Sequence, residues 1–207
     1  MPLKTSLLQT AARVGVPAAA ALVLTMTLAC PASASPAFVA VINGRLTFTA
    51  LPGETNTVTF DDFSAGTIRV TDTTSNLTAG TGCNGSGSSH TVVCAGAVDG
   101  VTRIVANLGD RNDTAQNDTD LPSDLAGGQG NDILVGGPGP DRLTDPDGWN
   151  TVPLLTLTMA GRGGNDTIIS RNGGFDHVDC GTNFDIVVAD RTDRDFVEPG
   201  CEFVQRF

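Results

Sequence analysis

Residues Gly127 to Thr144 read GGQGNDILV and then GGPGPDRLT, one nine-residue unit written twice. Each copy places glycine at its first, second and fourth positions, aspartate at the sixth (Asp132, Asp141) and leucine at the eighth (Leu134, Leu143). Glycines let the backbone curl through positive φ. The curled carbonyls and the short carboxylate then present hard oxygen ligands of the kind Ca²⁺ takes. A fixed period of this composition predicts stacked β-helical turns with metal held in the turns.

The period extends beyond the tandem pair. Aligned on the sixth position, the units carry Asp113, Asp132, Asp141, Asp166, Asp176 and Asp185. The eighth position, which must face a core, reads Leu134, Leu143, Ile168, Val178 and Val187, with Ala115 in a degenerate first unit. The fourth position, which must take positive φ, reads Gly130, Gly139, Gly164, Gly174 and Asn183; asparagine is the next most tolerant residue there. Arg111 departs from this rule in the first unit. A one-residue slip precedes Asp176, and an irregular stretch from Asp145 to Ala160 interrupts the rhythm. It contains the single Trp149 and a β-like run from Val152 to Met159.

This pattern resembles the RTX, or hemolysin-type, calcium-binding repeat family. The resemblance is carried by 127–144, by 161–169 (GRGGNDTII) and more loosely by 171–188. The whole layout is similar to small secreted actinobacterial members with two cysteine pairs. The resemblance implies a right-handed parallel β-helix (β-roll), two units per turn, with Ca²⁺ between loops stacked on each edge. It implies metal ligation by Asp132, Asp141, Asp166, Asp176 and Asp185. Carbonyls of three loops would complete the shells, those of Gly127, Gly128 and Gly130, of Gly136, Gly137 and Gly139, and of Gly161, Gly163 and Gly164. Loops two units apart share an edge, so Asp132 and Asp141 face opposite edges. If the irregular stretch loops out of a single turn, Asp132, Asp166 and Asp185 line one edge and Asp141 and Asp176 the other.

The elements that must hold these loops are all β. Before the repeats, Phe38–Ile42, an Asn43-Gly44 hairpin turn and alternating Leu46, Phe48 and Ala50 predict a hairpin. Further strands are expected at 57–60, 67–70, 91–94 and 101–108, the last with Ile104, Ala106 and Leu108 on one face. No segment of the mature chain has a helical signature. The expected organisation is a secretory signal over 1–34, an N-terminal β-rich region over 35–107, a calcium-binding β-roll over 108–190 with its insertion at 145–160, and a disulfide-tied C-terminal cap over 191–207. Residues 35–107 form their own sandwich or begin the β-helix.

The signal is read from Lys4 and Arg13 flanking the apolar run Val14–Ala29, and from Ala32-Ser33-Ala34 as a cleavage site. Lipidation at Cys30, in Thr27-Leu28-Ala29-Cys30, is the alternative that would keep the chain on the cell surface. Without residues 1–34, ten basic residues face 23 acidic ones, a formal charge of −13 with no lysine, and twenty of the acids are aspartate. Such a chain offers no electrostatic attraction to nucleic acid or an anionic membrane. No membrane span is expected and no protein partner is indicated; calcium ions are the natural counter-charge and the only cofactor implied.

Four cysteines remain after the signal. In a secreted chain they predict disulfides, Cys83 with Cys94 and Cys180 with Cys201, each pair bracketing a turn-rich segment. Zinc ligation is the weaker alternative, since no Cys-x-x-Cys occurs and His90 and His177 have no ligand spacing. An EF-hand reading of 144–148 fails because its first and twelfth ligands would be Leu143 and Leu154. No nucleophile–base–orienter set stands out, His90 sitting in a Gly/Ser-rich loop, so no enzyme is expected; a small secreted hydrolase using the N-terminal region is the remaining alternative.

Overall fold

The computed structural model describes residues 36–95, 100–148 and 156–207. The expected signal, Cys30, Trp149 and the first half of the Val152–Met159 run lie outside the described residues. Within them the protein is all-β. The strands are β1 (Ala37–Ile42), β2 (Arg45–Thr49), β3 (Thr57–Ser64), β4 (Thr67–Asp72), β5 (Leu77–Ala79), β6 (Cys83–Gly85), β7 (Thr91–Ala95), β8 (Arg103–Asn107) and β9 (Thr114–Asp118). They continue as β10 (Ser123–Ala126), β11 (Ile133–Val135), β12 (Arg142–Thr144), β13 (Met159–Ala160), β14 (Thr167–Ile169), β15 (His177–Asp179), β16 (Ile186–Ala189), β17 (Phe196–Val197) and β18 (Phe203–Arg206).

These strands form two sheets. One runs β18-β16-β14-β12-β10-β8-β2-β1-β5 and the other β17-β15-β13-β11-β9-β3-β4-β7-β6. From β8 and β9 onward, successive strands alternate between the sheets and every neighbour pairs in parallel, two short strands to each coil. This is the β-helix or β-roll architecture predicted from the nine-residue period. The N-terminal region does not stand apart as its own sandwich. Its strands β2 and β3 pair in parallel with β8 and β9, and antiparallel hairpins close that end of both sheets. Asn43 and Gly44 both take positive φ, as a two-residue hairpin turn demands.

The alternation of strand side chains builds the core. In one sheet Leu125, Leu143, Ile168 and Val187 stand in register, each 0–1% exposed. In the other, Ala115, Leu134, Met159 and Val178 do the same, all at 0%. Each eighth-position side chain therefore stacks on its equivalent one coil away and excludes water from the narrow interior. Ile104, Ala106 and Leu108 are buried as expected. Phe48 and Phe60 meet edge-to-face at 6.2 Å near the N-terminal end.

The structure corrects the expected layout in three places. The irregular stretch does not loop out of a single turn, because its end, Met159–Ala160, returns as β13 between β11 and β15. The chain 191–207 is more than a cap: β17 and β18 add one further parallel rung to each sheet. The strand β10 was not anticipated, because Ser123 holds the sixth position of its unit and conceals the repeat, with Leu125 at the eighth.

Both disulfides form as paired from the sequence, Cys83–Cys94 with Cα atoms 4.0 Å apart and Cys180–Cys201 at 5.3 Å. The second closes a 21-residue span and ties the last rung to the one before it. Its loss through Cys201→Ser with Cys180→Ser is expected to cost about 3 kcal/mol by releasing the unfolded chain. The measurement is a melting curve with limited proteolysis in the exposed Arg191–Arg194 segment. An unchanged melt and an uncut C-terminus would show that the last rung holds without the bond.

Candidate metal centre

Every sixth-position aspartate lies immediately before a strand, where the chain turns from a loop into a sheet. There the aspartates tie coil to coil. On one edge the Ser123 backbone N–H and hydroxyl both donate to Asp141 Oδ1 at 2.7 Å, Asp141 N–H donates to Asp166 Oδ1 at 2.8 Å, and Asp166 N–H to Asp185 Oδ1 at 2.8 Å. Asp185 N–H then donates to Glu202 Oε2 at 2.9 Å. On the other edge Asn56 N–H donates to Asp113 Oδ1 at 2.6 Å, Asp113 N–H to Asp132 Oδ1 at 2.8 Å, and Asp176 N–H to Asp195 Oδ1 at 3.2 Å. Each carboxylate thus satisfies a corner amide that no strand partner reaches.

This reverses part of the expected edge assignment. Asp141, Asp166 and Asp185 share one edge, and Asp132 and Asp176 lie on the other. The physical reason is the strand β13. Because the irregular stretch supplies a rung of its own, 25 residues separate two stacked aspartates, Asp141 and Asp166, where 18 or 19 separate the others. At the interrupted unit Thr158 Oγ1 donates to Asp176 Oδ1 at 3.2 Å in place of an aspartate's amide.

The motif glycines sit where coils touch. A Cβ on Gly127, Gly136 or Gly161 would run into the carboxylate of its own unit, Asp132, Asp141 or Asp166. Gly136 and Gly161 also face a carbonyl of the next coil, that of Gly161 and Cys180 respectively. Gly128, Gly137, Gly139 and Gly164 press on the carbonyls of Gly109, Thr119, Asp120 and Gly139 in the preceding coil, and Gly130 on that of Arg111. Gly163 bridges to Thr182. Positive φ occurs at Gly130, Gly164 and Asn183 as expected, and at Arg111, which keeps the turn conformation despite its side chain. It is absent at Gly139, which precedes Pro140. In the slipped unit it falls on Gly173 instead of Gly174.

Burial pushes the carboxyls of Asp113, Asp132, Asp145, Asp166 and Asp176 up to about 7. Neighbouring carboxylates push the same way: Asp141 and Asp185 on Asp166, Asp195 and Asp145 on Asp176. Asp141, Asp185 and Asp195 are also raised by burial. The ion pairs among the described residues are Arg69–Asp61, Arg103–Asp124, Arg162–Asp118 and His177–Glu198. None takes in Asp113, Asp141, Asp166, Asp176, Asp185 or Asp195, so these buried carboxylates lack a counter-charge among the described residues.

Among the described residues no group of three or more His, Cys, Asp or Glu side chains is gathered to hold a metal ion. An ion at these corners therefore needs backbone carbonyls as well as aspartate. The corners differ in what they offer. Asp166 Oδ2 and Asp185 Oδ2 are buried and accept no hydrogen bond among the described residues, as a free cation ligand would. Asp166 Oδ2 and the Cys180 carbonyl of the next coil both crowd the face of Gly161. Asp141 and Asp176, by contrast, have both oxygens filled: Gly137 N–H reaches Asp141 Oδ2 at 2.6 Å and Asn172 Nδ2 reaches Asp176 Oδ2 at 2.9 Å.

Four carboxylates of this arrangement escaped the sequence reading. Asp195 and Glu202 lie 19 and 17 residues beyond Asp176 and Asp185, a spacing that continues the period. Asp113 was aligned but left out of the ligand set. Asp145 stands at the first position of the interrupted unit, 1% exposed, and brings its charge near Asp132. The histidine rings are engaged with other partners. His90 Nδ1 is 2.9 Å from the Asp72 and Ser75 carbonyls, and His177 Nε2 is 2.9 Å from Glu198 Oε1. Comparison with protein-family models, curated proteins and solved structures finds no match for this chain.

Proposed function

We propose that this is a secreted calcium-binding protein of the RTX, hemolysin-type kind, whose acidic coils take up Ca²⁺ between stacked loops and fold as they do so. The observation that carries the reading is the pair of buried, unfilled oxygens, Asp166 Oδ2 and Asp185 Oδ2, on consecutive coils of one edge. Bound Ca²⁺ would supply the positive charge that these carboxylates lack, and loop carbonyls would complete a shell of six to eight oxygens. Two disulfides fit an oxidising, extracellular setting. Among the described residues no helix is long and apolar enough to cross a membrane. In low cytosolic Ca²⁺ the acidic chain would stay open for export, and external Ca²⁺ would close it by mass action.

Calorimetric titration with Ca²⁺ tests the sites. Asp166→Asn with Asp185→Asn is expected to lower the number of bound ions. An unchanged stoichiometry would exclude this edge. Far-UV circular dichroism that is the same in EDTA and in millimolar Ca²⁺ would exclude coupled folding.

A second reading is a cell-surface structural or adhesive module that Ca²⁺ only rigidifies. It is favoured by the apolar side chains that the last coils expose, Phe184, Phe196, Phe203 and Phe207. Cell fractionation separates the two, since lipidated Cys30 would leave the protein with the membrane.

A further inference from the structure

Three buried side-chain oxygens that accept no hydrogen bond among the described residues lie at the N-terminal end of the coil stack, outside the glycine-rich nonapeptides. The turn 51–54 stacks on the loop before β9: Gly53 N–H donates to Asp110 Oδ1 and Asn56 N–H to Asp113 Oδ1, each at 2.6 Å. Glu54 folds inward, its Oε2 accepting from Leu51 N–H at 2.7 Å, and the residue is 1% exposed. Asn56, fully buried, donates from Nδ2 to Asp72 Oδ2 at 2.9 Å. Asp72 is well supplied with donors, since its Oδ1 accepts from the N–H groups of Thr57, Thr74 and Ser75 and from the Thr74 hydroxyl.

The oxygens beside it are not. Glu54 Oε1, Asn56 Oδ1 and Asp113 Oδ2 are all buried and accept no hydrogen bond among the described residues. Asp113 feels the negative charge of both Asp72 and Glu54, and no ion pair among the described residues includes any of the three. A buried carboxylate without a counter-charge is costly even when one of its oxygens is hydrogen-bonded, and here two such groups lie near an amide whose oxygen accepts no hydrogen bond among the described residues. Water or a hydroxyl would leave the charge uncompensated. Two carboxylates and an amide oxygen are a hard donor set, suited to Ca²⁺ and poorly suited to metals that favour thiolate or imidazole.

We propose that Glu54, Asn56 and Asp113 hold a divalent, oxygen-preferring cation that pins the N-terminal turn to the first coil. Asp113 belongs to the degenerate first unit and its N–H donates to Asp132 Oδ1, but the site draws on none of the glycine-rich loops, so its ion is counted apart from any held by Asp166 and Asp185. A cation there would join β3, which Asn56 precedes, to β9, which Asp113 precedes, and so hold the antiparallel end in register with the parallel stack.

The test counts Ca²⁺ per chain by equilibrium dialysis of the purified protein at pH 7.5. The panel is the parent, Glu54→Gln, Asp113→Asn, and Asp166→Asn with Asp185→Asn. Glu54→Gln and Asp113→Asn are each expected to bind one ion fewer than the parent, and the Asp166/Asp185 variant to keep the Glu54-dependent ion. In EDTA, Glu54→Gln should melt no lower than the parent, because its amide removes a buried charge and adds a donor. If Glu54→Gln does not fold, Asp113→Asn decides by the same count. Parent-like ion counts in the folded variants overturn the proposal, as does loss of every ion in the Asp166/Asp185 variant, which leaves the repeat reading intact. A single ion that survives there and disappears in Glu54→Gln supports this site even if the repeat loops bind nothing.

Discussion

In metal-free buffer the protein is expected to be more stable near pH 4.5 than at pH 7.5, losing stability as the pH rises to about 7. Asp113, Asp132, Asp145, Asp166 and Asp176 carry folded-state pKa values raised to about 7, above the ordinary 3.8. Between these values the folded chain binds more protons than the unfolded one, so stability falls with rising pH across that window and stays low above it. A single carboxyl displaced this far represents on the order of 4 kcal/mol, and the five interact, so their contributions are not additive. Even one such contribution is a large part of the ~5–15 kcal/mol that holds a typical domain together. Ca²⁺ should act where protons no longer do. Millimolar Ca²⁺ is expected to raise the melting temperature strongly at pH 7.5 and little at pH 4.5. Melts in EDTA that do not change between pH 4.5 and 7.5 would refute the buried-charge account of the two edges.

Gly130→Ala is expected to be the most damaging single methyl group in the repeats. Gly130 holds φ at +143°, a region that only glycine enters without strain, and an added Cβ would overlap the Arg111 carbonyl of the preceding coil. Strained backbone and forced overpacking cost about 1–3 kcal/mol each, so a loss of roughly 4 kcal/mol is expected in urea denaturation. Gly66→Ala is the control. Gly66 also has positive φ, +75°, but nothing lies within 4 Å of the added Cβ, and only the ~1–2 kcal/mol of a left-handed alanine should be lost. Equal losses at the two sites would mean that the close approach of the coils contributes nothing.

Much of this architecture was legible in the chain because its information is local and repeated. The eighth-position residues are inward-facing because a short strand must send every second side chain into the core, and Leu134, Leu143, Ile168, Val178 and Val187 all do. The hairpin at Asn43-Gly44 and the two cysteine pairs likewise rest on short-range geometry. Ser123 defeats the same reading because serine can fill a corner with its hydroxyl and leave no carboxylate to align on. Glu54, Asn56 and Asp113 are invisible as a group for a different reason: the turn at 54 and the loop at 113 come together only through the parallel pairing of β3 with β9.

The nine-residue period by itself determined that the chain coils, which side chains fill the core and which aspartates stand at the corners, since each follows from spacing within one unit. Which aspartates share an edge was decided only by tertiary structure. That depends on how many rungs the irregular stretch contributes, a matter of hydrogen-bonded register. Met159 pairing with Leu134 on one side and Val178 on the other settles it. A strand there moves every later corner to the opposite edge. Asp166 and Asp185 therefore stack beneath Asp141, because parallel strands align by their backbone bonds however many residues loop out between them.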